Sequence, residues 1–338
     1  MSIKRFASFE EIKPIWINLE NQTPHYPFQS FWYQKLFAEK FCNSKNVYLL
    51  GVYIDETLLA IGGFEKVAEK IVFLGMKQVL GGQDITDYGD VLWKENVSEQ
   101  QASGVWQTIH GYFKQQGSLE LQLDFVREDS LTYKVVNKSA FVKTMADKQE
   151  VAPFIIPPSS WDEYLQSLDR KQRHELKRKI KRFEEQRAFH FCSNETIKED
   201  FEAFIRLHRA SDQAKEKFMS EEMKQFFWDI VSAEKTDYRI DFCFLNIDNK
   251  PVASVMSFIG QGKTLLYNSG FDPEYSYYSV GLILHAYLVK KSIEEKLSIH
   301  DFLRGNERYK YDLGAKDMQL YRITLTNSLP NSPISAHI

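Results

Sequence analysis

Cysteine is scarce in this chain of 338 residues: Cys42, Cys192 and Cys243 stand far apart, odd in number and without metal-ligand spacing. Neither a disulfide framework nor a zinc site is expected from them, and a reducing, cytoplasmic setting fits best. Long apolar runs are also missing. Glu10 and Glu11 interrupt the N-terminus before an apolar core of a leader could form, and no later stretch approaches ~18 uninterrupted apolar residues, so neither secretion nor a membrane span is expected. An excess of one charge is absent as well. With a formal net charge of -3 and a pI of about 6.3, nothing global argues for wrapping a polyanion, and any nucleic-acid contact has to be local. The sequence contains no Gly-x-Ser-x-Gly elbow, no Walker loop and no strand-linked Gly-x-Gly-x-x-Gly. Hydrolase, kinase and dehydrogenase readings drop away with them. The eight histidines form no ligand-spaced pair, and His208 and His285 read as satisfied helix histidines rather than catalysts.

What is present points to ordered globular structure: 43% hydrophobic residues, with 25 Phe and 17 Tyr. The length favours two domains, and a weak internal repeat says the same. Val47 to Ile54, a turn at Asp55-Glu56-Thr57, and Leu58 to Phe64 read as a hairpin. Phe242 to Ile247, Asp248-Asn249-Lys250, and Val252 to Ile259 read as a second one in the same frame. Beyond each hairpin the order matches again. A third strand (Ile71 to Met76; Thr264 to Ser269) leads through a loop to a helix (Glu99 to Gln115; Val280 to Glu295), a strand (Leu119 to Val126; Ser298 to Leu303) and a final strand (Phe141 to Met145; Leu320 to Thr326). A meander followed by a helical crossover predicts an α/β fold with a mixed sheet, present twice.

Between the copies, Ser160-Trp161-Asp162-Glu163 is a capping box after Pro157-Pro158 and starts a helix near Trp161. Met223, Phe226, Phe227, Ile230 and Val231 predict another amphipathic helix after Ser220. The boundary falls near Pro153 to Ser160, giving an N-terminal domain of residues 1–152 and a C-terminal domain of 153–338.

Four segments read together resemble the Fem-type subgroup of the GNAT acyltransferase superfamily, which includes FemAB-like and CelD-like acetyltransferase domains. They are Pro27-Phe28-Gln29-Ser30 with Trp32; Thr86-Asp87-Tyr88-Gly89-Asp90; Leu168 to Arg182; and the run from Gly270 to Ala315. That last run contains Gly270-Phe271-Asp272-Pro273, Tyr278-Ser279-Val280-Gly281, Asp301-Phe302-x-Arg304-Gly305 and Tyr309-Lys310-Tyr311. The resemblance spans most of the chain and implies two tandem GNAT domains, the second carrying the donor site. It departs from the family at Val280, where relatives often have proline between serine and glycine. The implied activity is N-acyl transfer from acetyl-CoA or another acyl-CoA to an amine of a sugar, peptide or small metabolite, without a metal. The alternatives are a Fem-type ligase using aminoacyl-tRNA, which would make tRNA the nucleic-acid partner, and a binding module that has lost the donor. Fem ligases often carry a long helical hairpin for RNA, and Leu168 to Phe183 is too short for one.

Candidate site residues follow. Tyr278, Ser279 and Gly281 open a helix whose free N–H groups and positive dipole suit a pyrophosphate, although Ser279 reads equally as an N-cap and Gly281 as a packing glycine. Arg304 could hold a donor phosphate as a fork, or pair internally with Asp301 or Glu307. The resemblance places Lys310 at the substrate. Asp301, Tyr309 and Tyr278 are candidates for the group that moves the proton, and residue type does not separate them. Arg170 to Arg182 carries a net charge of +7, with Leu176, Ile180 and Phe183 marking its buried side. Such a helix is a solvated basic face or an anion contact, and the resemblance nominates Arg173 and Arg178. Asp84, Asp87 and Asp90 lack calcium-loop spacing; the resemblance instead implies that Asp87 and Tyr88 position the amine.

Overall fold

A computed structural model describes residues 1–118, 120–138, 143–186, 189–195 and 198–326. In chain order the first half contains β1 (Ser2–Phe6), α1 (Phe9–Glu20), α2 (Phe31–Phe41), β2 (Val47–Ile54), β3 (Thr57–Val67), β4 (Lys70–Phe73) and β5 (Leu92–Trp93). It continues with α3 (Glu99–Gln115), β6 (Glu120–Arg127), α4 (Leu131–Val136) and β7 (Lys143–Ile155). The second half contains α5 (Trp161–Ser167), α6 (Arg170–Gln186), β8 (Phe189–Glu195), α7 (Lys198–Ser211), α8 (Gln213–Phe218), α9 (Glu221–Ser232), β9 (Tyr238–Ile247) and β10 (Lys250–Gly260). It ends with β11 (Lys263–Phe271), α10 (Val280–Glu294), β12 (Ile299–Asp301), α11 (Arg308–Asp312) and β13 (Lys316–Thr326). Among the described residues no helix is long and apolar enough to cross a membrane.

The repeat is visible strand by strand. β1, β2, β3 and β4 pair antiparallel in sequence, and β4 pairs parallel with β6. In the same way β8, β9, β10 and β11 pair antiparallel, and β11 pairs parallel with β12. Each helix that crosses over, α3 and α10, lies between the parallel partners in sequence, which is what a parallel pair requires. Asp248 and Asn249 both take positive φ (49° and 62°), the two-residue turn whose twist suits a β9–β10 hairpin. Positions 252–259 of β10 are buried without alternation because α7 and α10 both pack on this strand.

By contacts the chain divides into one unit of residues 1–150 with 319–338 and another of 151–318. The final strands therefore differ from the sequence reading. Leu320 to Thr326, assigned there to the second copy, pairs antiparallel with β6 of the first, from Leu320 opposite Arg127 to Thr326 opposite Glu120. The end of β7 supplies the strand beside β12, with Ile155 opposite His300 and Phe154 opposite Asp301. Each copy thus has its fifth strand flanked by the last strand of the other copy. Alternating apolar residues fix which face of β13 is buried, but not which edge it joins. Two shorter differences accompany this. β4 stops at Phe73 rather than Met76, ahead of a turn in which Gly75 has φ +99°. β7 continues through the expected boundary at Pro153 as far as Ile155. Of the expected strand Phe141 to Met145, residues 141 and 142 lie outside the described residues.

One continuous core of the second unit joins α5, α6 and α10 to the sheet. Tyr164 and Leu165 from α5, Leu168 just after it, and Leu176 and Phe183 from α6 join Val252, Val255 and Leu266 from the sheet and Ile283, Leu284 and Leu288 from α10. The apolar side of α6 is thus buried as its sequence predicts, and its basic side faces out. Ser160 caps α5 by accepting from Glu163 N–H at 3.2 Å. Glu163 closes the turn through Ser159, whose N–H donates at 3.1 Å, rather than through the cap residue itself.

Candidate functional site

The parallel pair β11 and β12 is short: Lys263, Thr264 and Leu265 face Ile299, His300 and Asp301, and the pairing ends there. Past that point β11 continues to Phe271 while the chain after Asp301 turns away. Alongside Ser269–Phe271, the first turn of α10 and Tyr309 of α11 line a cavity of about 270 Å3, joined by Lys215, Ser254 and His285. Gly270 is what lets α7 close one side. A Cβ there would stand 2.3 Å from the His208 backbone N, so any side chain would push the helix off the strand.

Ser279 sits in the left-handed region (φ 58°, ψ 38°), and its side chain caps nothing. Among the described residues the first N–H groups of α10 therefore have no side-chain cap at the cavity edge. Gly281 is not a packing glycine: a Cβ would meet only Phe271, at 3.6 Å, an ordinary contact. The first copy contrasts at the corresponding place. Ser98 closes the start of α3 with a full capping box to Gln101. Where β4 and β6 part, the chain itself lies between them at Gly89, whose N–H donates to Phe125 O at 3.2 Å and whose added Cβ would strike Asp124 O and the Phe73 ring.

Two side chains in the cavity wall are buried without a partner among the described residues. These are the Ser254 hydroxyl and Nδ1 of His285. Burial pulls His285 down to about 3, so the ring is neutral at physiological pH. His285 stacks on Tyr309 with centroids 4.6 Å apart and planes at 21°. Burial likewise holds the Tyr309 phenol above its usual value, which keeps it protonated. Lys215 reaches the cavity from α8 and donates to Ser269 O at 2.7 Å.

Of the residues expected at a site, Ser279, Gly281 and Tyr309 meet at this cavity. Lys310, expected at the substrate, is 2% exposed, and its ammonium is held by Leu303 O (3.3 Å), Arg304 O (2.8 Å), Gly305 O (2.9 Å) and the Glu307 carboxylate (2.8 Å). It shapes the loop after β12, where Leu303 and Gly305 take positive φ, and removing it would disturb folding as well as any site. Asp301 is buried and accepts from Leu303 N–H at 2.8 Å in that same loop. Gly305 N–H in turn donates to Val151 O. Arg304 contributes its carbonyl to Lys310. Tyr278 packs on Phe183 of α6, with centroids 6.5 Å apart. Arg173 donates to Gln166 O and Leu168 O, closing the end of α5, and Arg178 forms a two-bond pair with Glu175 at 2.6 and 3.0 Å. A second cavity, of about 470 Å3, meets the first at Leu282 and is lined by Lys171, Lys179 and Arg308 rather than by those two arginines.

Asp87 and Tyr88 belong to the first unit. Tyr88 is 2% exposed, its ring lies edge-on to Tyr26 and Phe28, and Arg127 stands 5.0 Å over it. Sequence reasoning did not single out Lys215 and Ser254, and read His285 as core, yet all three line this cavity. Both His208 and His285 were expected to be satisfied, yet the Nδ1 of each is buried without a partner among the described residues; His208 bonds Asn268 Oδ1 at 2.9 Å through Nε2.

Comparison with known proteins agrees with this architecture. Residues 170–311 match the family described as an acetyltransferase (GNAT) domain. Among solved structures the chain is similar to FemX, with a TM-score of 0.61 at 10% identity over 95% of this chain and 97% of that one. It is also similar to the C-terminal domain of a putative lysylphosphatidylglycerol synthetase from Agrobacterium fabrum (TM-score 0.56, 10% identity, 95% and 93% coverage). A GNAT-family acetyltransferase from Colwellia psychrerythraea aligns at a TM-score of 0.52 (10% identity, 96% and 100% coverage). No curated protein matches the sequence. At such identities the structures speak to fold alone. Residues 170–311 thus match a GNAT domain, and the chain as a whole, with two successive copies of the same mixed sheet, has a Fem-like, tandem GNAT-like fold.

Proposed function

We propose that the second unit transfers an acyl group from an acyl-CoA to an amine. The observation that carries this reading is the contrast between copies: α10 starts open beside a cavity where β11 and β12 part, whereas α3 is sealed and the corresponding gap is filled by Gly89. Uncapped N–H groups at a helix start suit a pyrophosphate, and the space above Gly281 lets a ligand approach the backbone.

Tyr309 is the proton donor in this reading. Burial keeps its phenol protonated, and its hydroxyl makes no hydrogen bond among the described residues, so it is available to a leaving group. As the amine nitrogen bonds the acyl carbon and the carbon–sulfur bond breaks, Tyr309 gives its proton to the sulfur and regains one from the amine nitrogen. Lys310 acts at one remove by fixing the turn that leads into α11. The competing donor is aminoacyl-tRNA, favoured by the likeness to FemX and by the exposed basic side of α6. Against it stands the length of α6, a single 17-residue helix that leads to β8 without a second antiparallel helix.

Calorimetric titration with coenzyme A and acetyl-CoA tests the proposal, with Gly281→Trp as the blocked variant. Binding by the native chain that the tryptophan abolishes is the expected result. Absence of binding to the native chain would overturn the acyl-CoA reading and make charged tRNA the next ligand to try.

A further inference from the structure

The cavity holds more polar chemistry than a thioester needs. Lys215 reaches it from α8 with a single protein acceptor, Ser269 O, and no carboxylate among the described residues lies within ion-pairing distance. The two acidic groups that act on it from further away are already engaged. Asp212 caps α8 by accepting from Lys215 N–H at 2.8 Å, and Glu307 holds Lys310 at 2.8 Å. Ser254 and His285 add two unpartnered polar atoms, on side chains 0% and 5% exposed. Partly buried ammonium groups and buried hydroxyls without partners are both unfavourable, so a protein that keeps three of them around one cavity leaves them for a ligand.

We propose that this cavity recognises a small molecule bearing one carboxylate, an α-amino acid, with Lys215 as its charge partner and Ser254 and His285 as its hydrogen-bond partners. The identification follows from the count of charges. One ammonium, with no arginine and no second lysine in the wall, matches one negative charge and falls short of a phosphate dianion, for which clustered cations or forks are the usual arrangement. Phe271, Val280, Leu282, Leu284 and the Tyr309 ring give the rest of the lining an apolar part that suits a hydrocarbon side chain, beside Ser269, Ser276 and Ser279. Burial draws the Lys215 pKa below its ordinary value, a penalty that a bound carboxylate would relieve. Assigning that amino acid as the acceptor amine rests on the acyl-transfer reading; its binding does not.

The test is the melting temperature of the full chain with pools of free L-α-amino acids at about 10 mM, compared with pools of the corresponding α-carboxamides, in native protein and in Lys215→Met. The proposal expects at least one amino-acid pool to raise the melting temperature by about 2 °C or more, the matched carboxamides to raise it by less than half as much, and the Lys215→Met variant to lose the shift. Equal shifts from acids and amides would overturn it. So would a shift that persists in the variant, or no shift from any pool. Should Lys215→Met fail to fold, the acid-against-amide comparison on native protein still decides. Titration with coenzyme A alone is run beside it: coenzyme A binding without amino-acid binding sinks this inference and leaves the acyl-transfer reading standing, and the reverse outcome does the opposite.

Discussion

Three buried histidines in the second unit make acid the perturbation to which it should respond most strongly. Burial lowers His208 to about 4 and His285 and His300 to about 3, against an ordinary value of 6.5. The folded chain keeps all three neutral, while the unfolded chain protonates them below about pH 6.5. Their contribution to stability is therefore fully present above that value and is lost as pH falls toward the folded values. Between about pH 6 and pH 4.5 the unfolded state binds up to three more protons, so stability falls by about 4 kcal/mol per pH unit at the steepest. Over two units that reaches about 8 kcal/mol, comparable with the whole stability of an ordinary domain. Urea unfolding read by hydrogen exchange in peptides covering 280–305 would give the slope. His300→Asn, which removes one titrating ring beside Ser292, should lower it to about 3 kcal/mol per pH unit. A slope near zero across this range, or one unchanged in the variant, would refute the claim that these rings are kept neutral by burial.

Two further outcomes follow from the packing. Lys310→Met leaves three carbonyls and Glu307 without their ammonium and should cost about 3 kcal/mol in the urea unfolding of the second unit; native-like stability would show the loop holds itself. Ending the chain at residue 318 strips Leu320, Ile323 and Leu325 from β6, at about 2 kcal/mol for each buried side chain. Limited proteolysis should then cut within residues 1–150 before 151–318, and the opposite order would contradict the strand assignment.

Local signals account for what could be read from the sequence. Ser98 and Gln101 fix the start of α3, and the expected and observed bounds of that helix coincide. The Asp248-Asn249 turn fixes the β9–β10 register. The start of α10 near Ser279 to Gly281 was legible from neighbours in sequence, but not whether Ser279 caps it; the structure shows that it does not. Edge strands β1 and β8, short and at the margins of their sheets, gave no pattern strong enough to assign. The cavity's polar groups were illegible for a different reason. Lys215, Ser254 and His285 come from three elements, and nothing near any one of them in sequence reports that the others are there. His285 lies on a helix that is apolar nearly all round, where a lone histidine reads as core. Position along the chain cannot tell an ammonium that faces a ligand from one that, like Lys310, faces three carbonyls seven, six and five residues before it. The exchanged last strands were hidden likewise, since β13 is equally apolar beside either copy's fifth strand.

That exchange also bears on the order in which the protein can be made. A ribosome finishes residues 1–150 long before 319–326, yet Arg322 is the partner of Asp124 across a separation of 198 residues. The second unit is contiguous and can close once residue 318 is available. The first must wait with the edge of β6 uncovered until β13 arrives. An unpaired strand edge of this kind is a template for pairing with another chain. The half of the protein synthesised first is thus the half completed last, and during synthesis it is the half most in need of a chaperone.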